Sequence, residues 1–204
     1  MMSRIVLLIL IMPVMLLAND DEFNLSEEIY ENGQLSLISH RGNSRFASYL
    51  AMSIKFPPVE KLFKEVSRQN KWPLITRGEA HITVITPLEY SDVLKEKISM
   101  QEIETIAKRN RIQSLYFDII CLGRGQARLA GKLQETYFIV VSSSDLLRVR
   151  REVHDLFKAR GGNAEAFDPT NYYPHITLGF SQRDLHETDG VIKDNTSCYA
   201  DLII

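Results

Sequence analysis

Two short segments of this chain repeat each other in a way that bears on chemistry. Residues 80–85 read Ala-His-Ile-Thr-Val-Ile, and residues 174–179 read Pro-His-Ile-Thr-Leu-Gly. In an extended strand, residues i and i+2 project from the same face. His81 and Thr83 therefore leave one face of their strand together, as do His175 and Thr177, while Ile82, Val84, Ile176 and Leu178 turn to the other. Two imidazoles and two hydroxyls brought to one place suit phosphodiester chemistry. A neutral imidazole takes a proton from water or a ribose hydroxyl, and an imidazolium returns one to the departing oxygen. The hydroxyls donate to the non-bridging oxygens as charge builds on the phosphate.

The repeat is fairly specific. The chain has five histidines and nine threonines. A given histidine then has a threonine two places on about one time in twenty, and two such cases arise by chance about 2% of the time. The scheme needs no metal or cofactor. The chain has no His-Glu-x-x-His, no Cys-x-x-Cys and no paired aspartate motif that would hold one. Other residues rank lower. Tyr173 shares the parity of His175 and could stack a base there, although a packed tyrosine explains it equally well. Arg77, Arg124 and Arg128 could meet phosphate, but a solvated face is the simpler reading. His40, His154 and His186 are given no role.

Positioning these groups requires strands at both motifs. Alternation over Ala47–Phe56 predicts a strand, Pro57-Pro58 ends it, and Val59, Leu62, Phe63 and Val66 then follow at helical spacing. The first motif strand spans Ala80–Thr86 and stops at Pro87. Helical segments follow around 91–97 and 100–110. Strands are expected at 114–122 and 127–133, with Gly123-Arg124-Gly125 read as the turn between them. Thr136–Val141 is a further strand. Leu146, Val149, Val153, Leu156 and Phe157 then form a helical stripe capped from Ser142–Ser144 and closed at Gly161-Gly162. The second motif strand covers Tyr173–Phe180, and Thr196–Ile204 reads as a last strand. Strand–helix–strand thus occurs twice, each time ending on a His-Ile-Thr strand, which suggests an internal duplication.

The chain has 204 residues, 45% hydrophobic and 25% charged, with a net charge of −2. That fits one globular domain and gives no strong pull onto duplex DNA, which needs an excess of basic residues. Residues 1–18 have the layout of a secretory signal peptide: Arg4, an apolar run from Ile5 to Leu17 and small Ala18. The run is short for a membrane span, so no stable span is expected after processing, with a signal anchor as the alternative. Residues 19–46 form a polar, acidic extension, and the remaining domain is 47–204. In a secretory setting Asn24 and Asn195 are glycosylation acceptors. Cys121 and Cys198 could be joined, or could equally be two buried thiols.

The paired His-x-Thr motifs, the helix before the second of them and the Pro174-His175 junction resemble the two-histidine (2H) phosphoesterase superfamily over about residues 44–204. That superfamily includes RNA 2′,3′-cyclic phosphodiesterases. The resemblance implies a bilobal α+β fold with pseudo-twofold symmetry, two antiparallel-rich sheets facing a central groove and helices outside. It also implies catalytic His81 and His175, with Thr83 and Thr177 binding phosphate. The expected activity is metal-independent cleavage of 2′,3′-cyclic phosphates or of short 2′- or 3′-linked oligonucleotides by a monomer. The alternative is a nucleotide- or RNA-binding module of the same fold without significant turnover.

Overall fold

The computed structural model describes residues 22–204. The expected signal peptide lies outside them. Among the described residues no helix is long and apolar enough to cross a membrane.

Residues 22–46 of the polar extension contribute strands and core side chains to the fold. β1 (Glu22–Asn24) and β2 (Ile38–His40) are both strands of the sheet, and Phe23, Leu25 and Ile29 are buried in the core. β3 (Tyr49–Ile54) leads to α1 (Phe56–Gln69), whose first turn holds Pro57 and Pro58, where a fixed φ favours the helix and no N–H is missed. β4 (Ala80–Ile85) carries the first motif. Pro87, expected only to end that strand, also opens α2 (Pro87–Asp92), and Thr86 and Glu89 cap each other's backbone at its start. Ser99 and Glu102 do the same for α3 (Met100–Arg109). A long hairpin follows, made of β5 (Asp118–Leu129) and β6 (Lys132–Ser142). α4 (Ser144–Ala159), capped by Ser143, precedes β7 (His175–Phe180) and β8 (Cys198–Ile203).

The hairpin corrects the sequence reading. Gly123-Arg124-Gly125 is no turn but lies within β5. The reversal falls at Ala130 and Gly131, with φ of 48° and 78°, the two left-handed residues of a tight hairpin. The glycines serve close approach instead. A Cβ on Gly123 would meet the Phe138 ring at 2.3 Å, and one on Gly125 would meet Val191 at 2.3 Å.

The fold is mixed α and β, as expected, but the strands form one sheet rather than two facing ones. Its order is β1-β8-β5-β6-β7-β4-β3-β2, eight strands among the described residues. The physical reason is that the two motif strands pair directly, antiparallel, at Ile82 and Ile176. The two strand–helix–strand units, β3-α1-β4 and β6-α4-β7, thus meet edge to edge. Val59, Leu62 and Val66 of α1, Ile103 and Ile106 of α3, and Leu146, Val149 and Val153 of α4 pack on one face, over Met52, Ile82, Val84, Ile139, Ile176 and Leu178. α1 lies under β7 and α4 under β4, so each unit's helix supports the other unit's motif strand. The opposite parity, with His81, Thr83, His175 and Thr177, faces away from these helices.

On that second face a smaller apolar cluster joins Cys121, Phe138 and Val140. Cys121 is bonded to Cys198 at a Cα separation of 5.7 Å, which fastens the start of β8 to β5 across 77 positions of chain. Of the two states left open by the sequence, the structure has the disulfide. Replacing both cysteines by alanine should lower unfolding free energy by about 4 kcal/mol in the chain-entropy account. Denaturant titration of the double variant measures it, and a loss under about 1 kcal/mol would show that the closed loop contributes little.

Candidate active site

The pairing of Ile82 with Ile176 fixes what faces what. Counting outward along both strands, His81 lies across from Thr177, and His175 across from Thr83. Side chains opposite each other in antiparallel strands are close neighbours. Each histidine therefore sits beside the hydroxyl of the other motif. Flanking strands complete the wall. Tyr49 of β3 has its ring centre 6.0 Å from that of His81 and stacks on His40 at 4.8 Å, while Phe138 of β6 meets His175 edge-on at 5.9 Å.

The two imidazoles differ in their bonding. His175 Nδ1 is 2.7 Å from the carbonyl oxygen of Tyr173, a contact that requires Nδ1 to carry the hydrogen and donate it. Its Nε2 lone pair then faces the Lys193 ammonium at 3.3 Å. Burial and that ammonium hold the His175 imidazole well below the usual histidine range. His81 has a side chain 14% exposed, with Nδ1 3.6 Å from Glu79 Oε1. That nitrogen is buried without a hydrogen-bond partner among the described residues. Burial lowers its pKa too, against the opposing pull of Glu79. Both histidines thus favour the neutral form more than an exposed imidazole does.

Beside them lies a carboxylate that sequence reasoning missed. Asp184 is buried and accepts hydrogen bonds from Thr136 Oγ1 at 2.7 Å, Thr177 Oγ1 at 3.1 Å and Lys193 Nζ at 2.8 Å. Arg77 approaches its second oxygen at 3.3 Å. Burial pushes the Asp184 carboxyl up, but the Lys193 charge and these donors outweigh it and hold it well below the carboxylate range. Lys193 is itself buried, and burial lowers its pKa against the attraction of Asp184. Thr177 therefore spends its hydroxyl on Asp184, while Thr83 Oγ1 makes no hydrogen bond among the described residues. Asp184 and Lys193 lie in the polar segment between β7 and β8, which has no periodicity to mark them.

The remaining sequence candidates fall in several places. Arg77 joins the cluster through Asp184. Tyr173 lines a cavity of about 370 Å³ together with Pro174, Val140 and Lys193, next to His175. Arg124 lies over the Tyr199 ring, 4.2 Å from its centre, and borders a separate cavity of about 680 Å³ that no motif residue lines. His154 bonds the Ala164 carbonyl on the helical side. Among the described residues no three His, Cys, Asp or Glu side chains gather as a metal site.

Beneath the site, Arg150 of α4 links both motif strands. It is fully buried and donates to Val84 O at 2.7 Å, just past Thr83, and to Pro169 O at 2.9 Å in the loop that leads to His175. It also donates to Glu89 Oε1 at 2.7 Å, and its guanidinium lies 4.6 Å from the centre of the Tyr172 ring.

A family model described as Swiss Army Knife, 2H phosphoesterase domain (2H-SAK), matches residues 48–186, more than half of the chain and both motifs. No curated protein and no solved structure matches it. With two His-x-Thr strands paired at their centres and a family model that covers both, the chain belongs to the 2H phosphoesterases.

Proposed function

We propose that this protein is a metal-independent phosphodiesterase acting on 2′,3′-cyclic phosphates or short oligonucleotides, with His81 and His175 as the proton-transferring pair. The observation that carries the reading is the cross-strand pairing of Ile82 with Ile176, which sets each histidine beside the other motif's threonine. A phosphate seated over that bridge would have an imidazole on either side, one to take the attacking group's proton and one to protonate the leaving oxygen. Thr83 and Thr177 would hold the non-bridging oxygens. Tyr173, two residues before His175 and at the wall of a cavity, would contact a base or sugar. The two strand–helix–strand units, meeting edge to edge, fit an origin by duplication. Export, with cleavage near Ala18 and a monomeric mature chain, remains our reading of the N-terminus. The Cys121–Cys198 bond suits an oxidising compartment.

One observation favours the second reading, a binding module without turnover. His175 Nε2 faces Lys193 and Thr177 is bonded to Asp184, so both must be freed for the chemistry. Assaying the protein with and without EDTA against cyclic mononucleotides, short RNAs and oligoadenylates separates the two. Turnover that survives EDTA is expected. A bell-shaped kcat/KM profile has two limbs, loss of the neutral base in acid and loss of the charged acid in alkali. Because burial lowers both histidines, both limbs should lie at lower pH than unperturbed histidines, at ~6.5, would set them. Nucleotide binding with no turnover would establish the second reading, and an absolute requirement for zinc or magnesium would refute the metal-free scheme.

A further inference from the structure

We propose that Lys193 is a further catalytic residue, an ammonium that Asp184 holds against His175 so that it binds the substrate phosphate and stabilises charge there. The inference rests on the phosphodiesterase reading for its catalytic part, though not for phosphate binding. Lys193 lies beyond residues 48–186, the stretch matched by the family model.

The three ammonium hydrogens have three partners of unequal strength. Asp184 Oδ1 takes one at 2.8 Å, His175 Nε2 faces another at 3.3 Å, and the Phe138 ring lies beneath the nitrogen, 5.4 Å from its centre. The carboxylate is the anchor. The long imidazole contact and the aromatic face are weak enough to yield to an anion. A phosphate oxygen placed for proton exchange with His175 Nε2 lies within reach of the Lys193 nitrogen, since the two nitrogens are only 3.3 Å apart. When the ammonium turns to that oxygen it releases the Nε2 lone pair for the proton. Binding and unmasking of the base are then one motion. No bond is made or broken at Lys193.

The rest of the setting agrees. Asp184 gathers two hydroxyls, an ammonium and a guanidinium, so its own charge is matched within the cluster and two cations, Lys193 and Arg77, stand beside it. Lys193 also borders the cavity of about 370 Å³ that Tyr173 and Pro174 line, so its side chain is reached from that side even though no motif residue lines the cavity. A buried lysine used only as a strut would not need its third side against the catalytic nitrogen.

The test uses Lys193→Met, Lys193→Arg and the double variant Lys193→Met with Asp184→Asn. The double variant removes both charges and carries the test if the single variant, whose Asp184 loses its ammonium partner, does not fold. Inorganic phosphate is titrated while the His175 imidazole is followed by NMR, and kcat/KM is measured on a 2′,3′-cyclic mononucleotide. The charges that face Lys193 and His175, namely Asp184, Arg77, His186 and Glu187, are common to the wild type and the single variants. Loss of Lys193 should weaken phosphate binding about tenfold or more and lower kcat/KM about 100-fold. It should also raise the pH at which His175 titrates, because a like charge beside it is gone. Arginine should restore part of both activities. The proposal is overturned if wild type binds no phosphate at this site, or if folded Lys193→Met or the double variant binds it as tightly as wild type. Phosphate binding that depends on Lys193 in a protein without turnover would instead sink the phosphodiesterase reading alone.

Discussion

Alanine at either His81 or His175 should lower kcat/KM by about 100- to 10,000-fold, the usual worth of a positioned acid or base. The two variants should differ in stability. His81 has an unpartnered buried Nδ1 and touches Tyr49 and Glu79 loosely, so its removal takes no hydrogen bond from the fold. His175 holds the Tyr173 carbonyl and one hydrogen of Lys193, and it meets Phe138 edge-on. His175→Ala should therefore cost about 1–3 kcal/mol, the price of leaving buried polar partners unmatched, while His81→Ala costs less. Steady-state kinetics on a cyclic nucleotide together with denaturant titration reads both quantities. A folded variant at either position with near-normal kcat/KM would end the two-histidine account.

How much of this was legible in the sequence depended on periodicity. The motif strands were plain because parity in a strand is strict: Ile82 and Val84 had to oppose His81 and Thr83, and the core confirms the same alternation around Ile176 and Leu178. The helices over Val59–Val66 and Leu146–Phe157 followed from stripes at helical spacing. The glycine pair at 123 and 125 misled, because a glycine that admits the Phe138 ring looks in sequence like one that makes a turn. Ala130, an ordinary residue at positive φ, hid the real reversal. The single sheet was not legible either, since parity assigns faces but does not say which strand edges pair. Asp184 and Lys193 could not be found because their importance comes from a segment folding back over the sheet, and polar residues in a loop carry no such mark. Arg150 had a faint one: it lies within the apolar stripe of its own helix, four places from Leu146 and three from Val153.

That position leads to the second large effect. Arg150→Met should destabilise the protein by about 3–5 kcal/mol, the scale for removing one partner of a buried, hydrogen-bonded ion pair. The Glu89 carboxylate is partly exposed and also caps α2 at Thr86, so water can recover some of its charge. The heavier loss is in the carbonyls of Val84 and Pro169, which accept at 2.7 and 2.9 Å and have methionine's apolar side chain in exchange. Those carbonyls belong to the end of the first motif strand and to the loop before the second. The folded fraction should therefore also lose kcat/KM, because the distance between the two histidines is set partly through this guanidinium. Arg150→Lys tests geometry against charge: a point ammonium cannot span Glu89, Val84 and Pro169 at once, so lysine should recover less than half of the lost stability. Denaturant midpoints for the two variants, with activity measured well below the unfolding transition, decide the matter. If Arg150→Met stays within about 1 kcal/mol of wild type and keeps its activity, the two motif strands are held in register by the sheet alone.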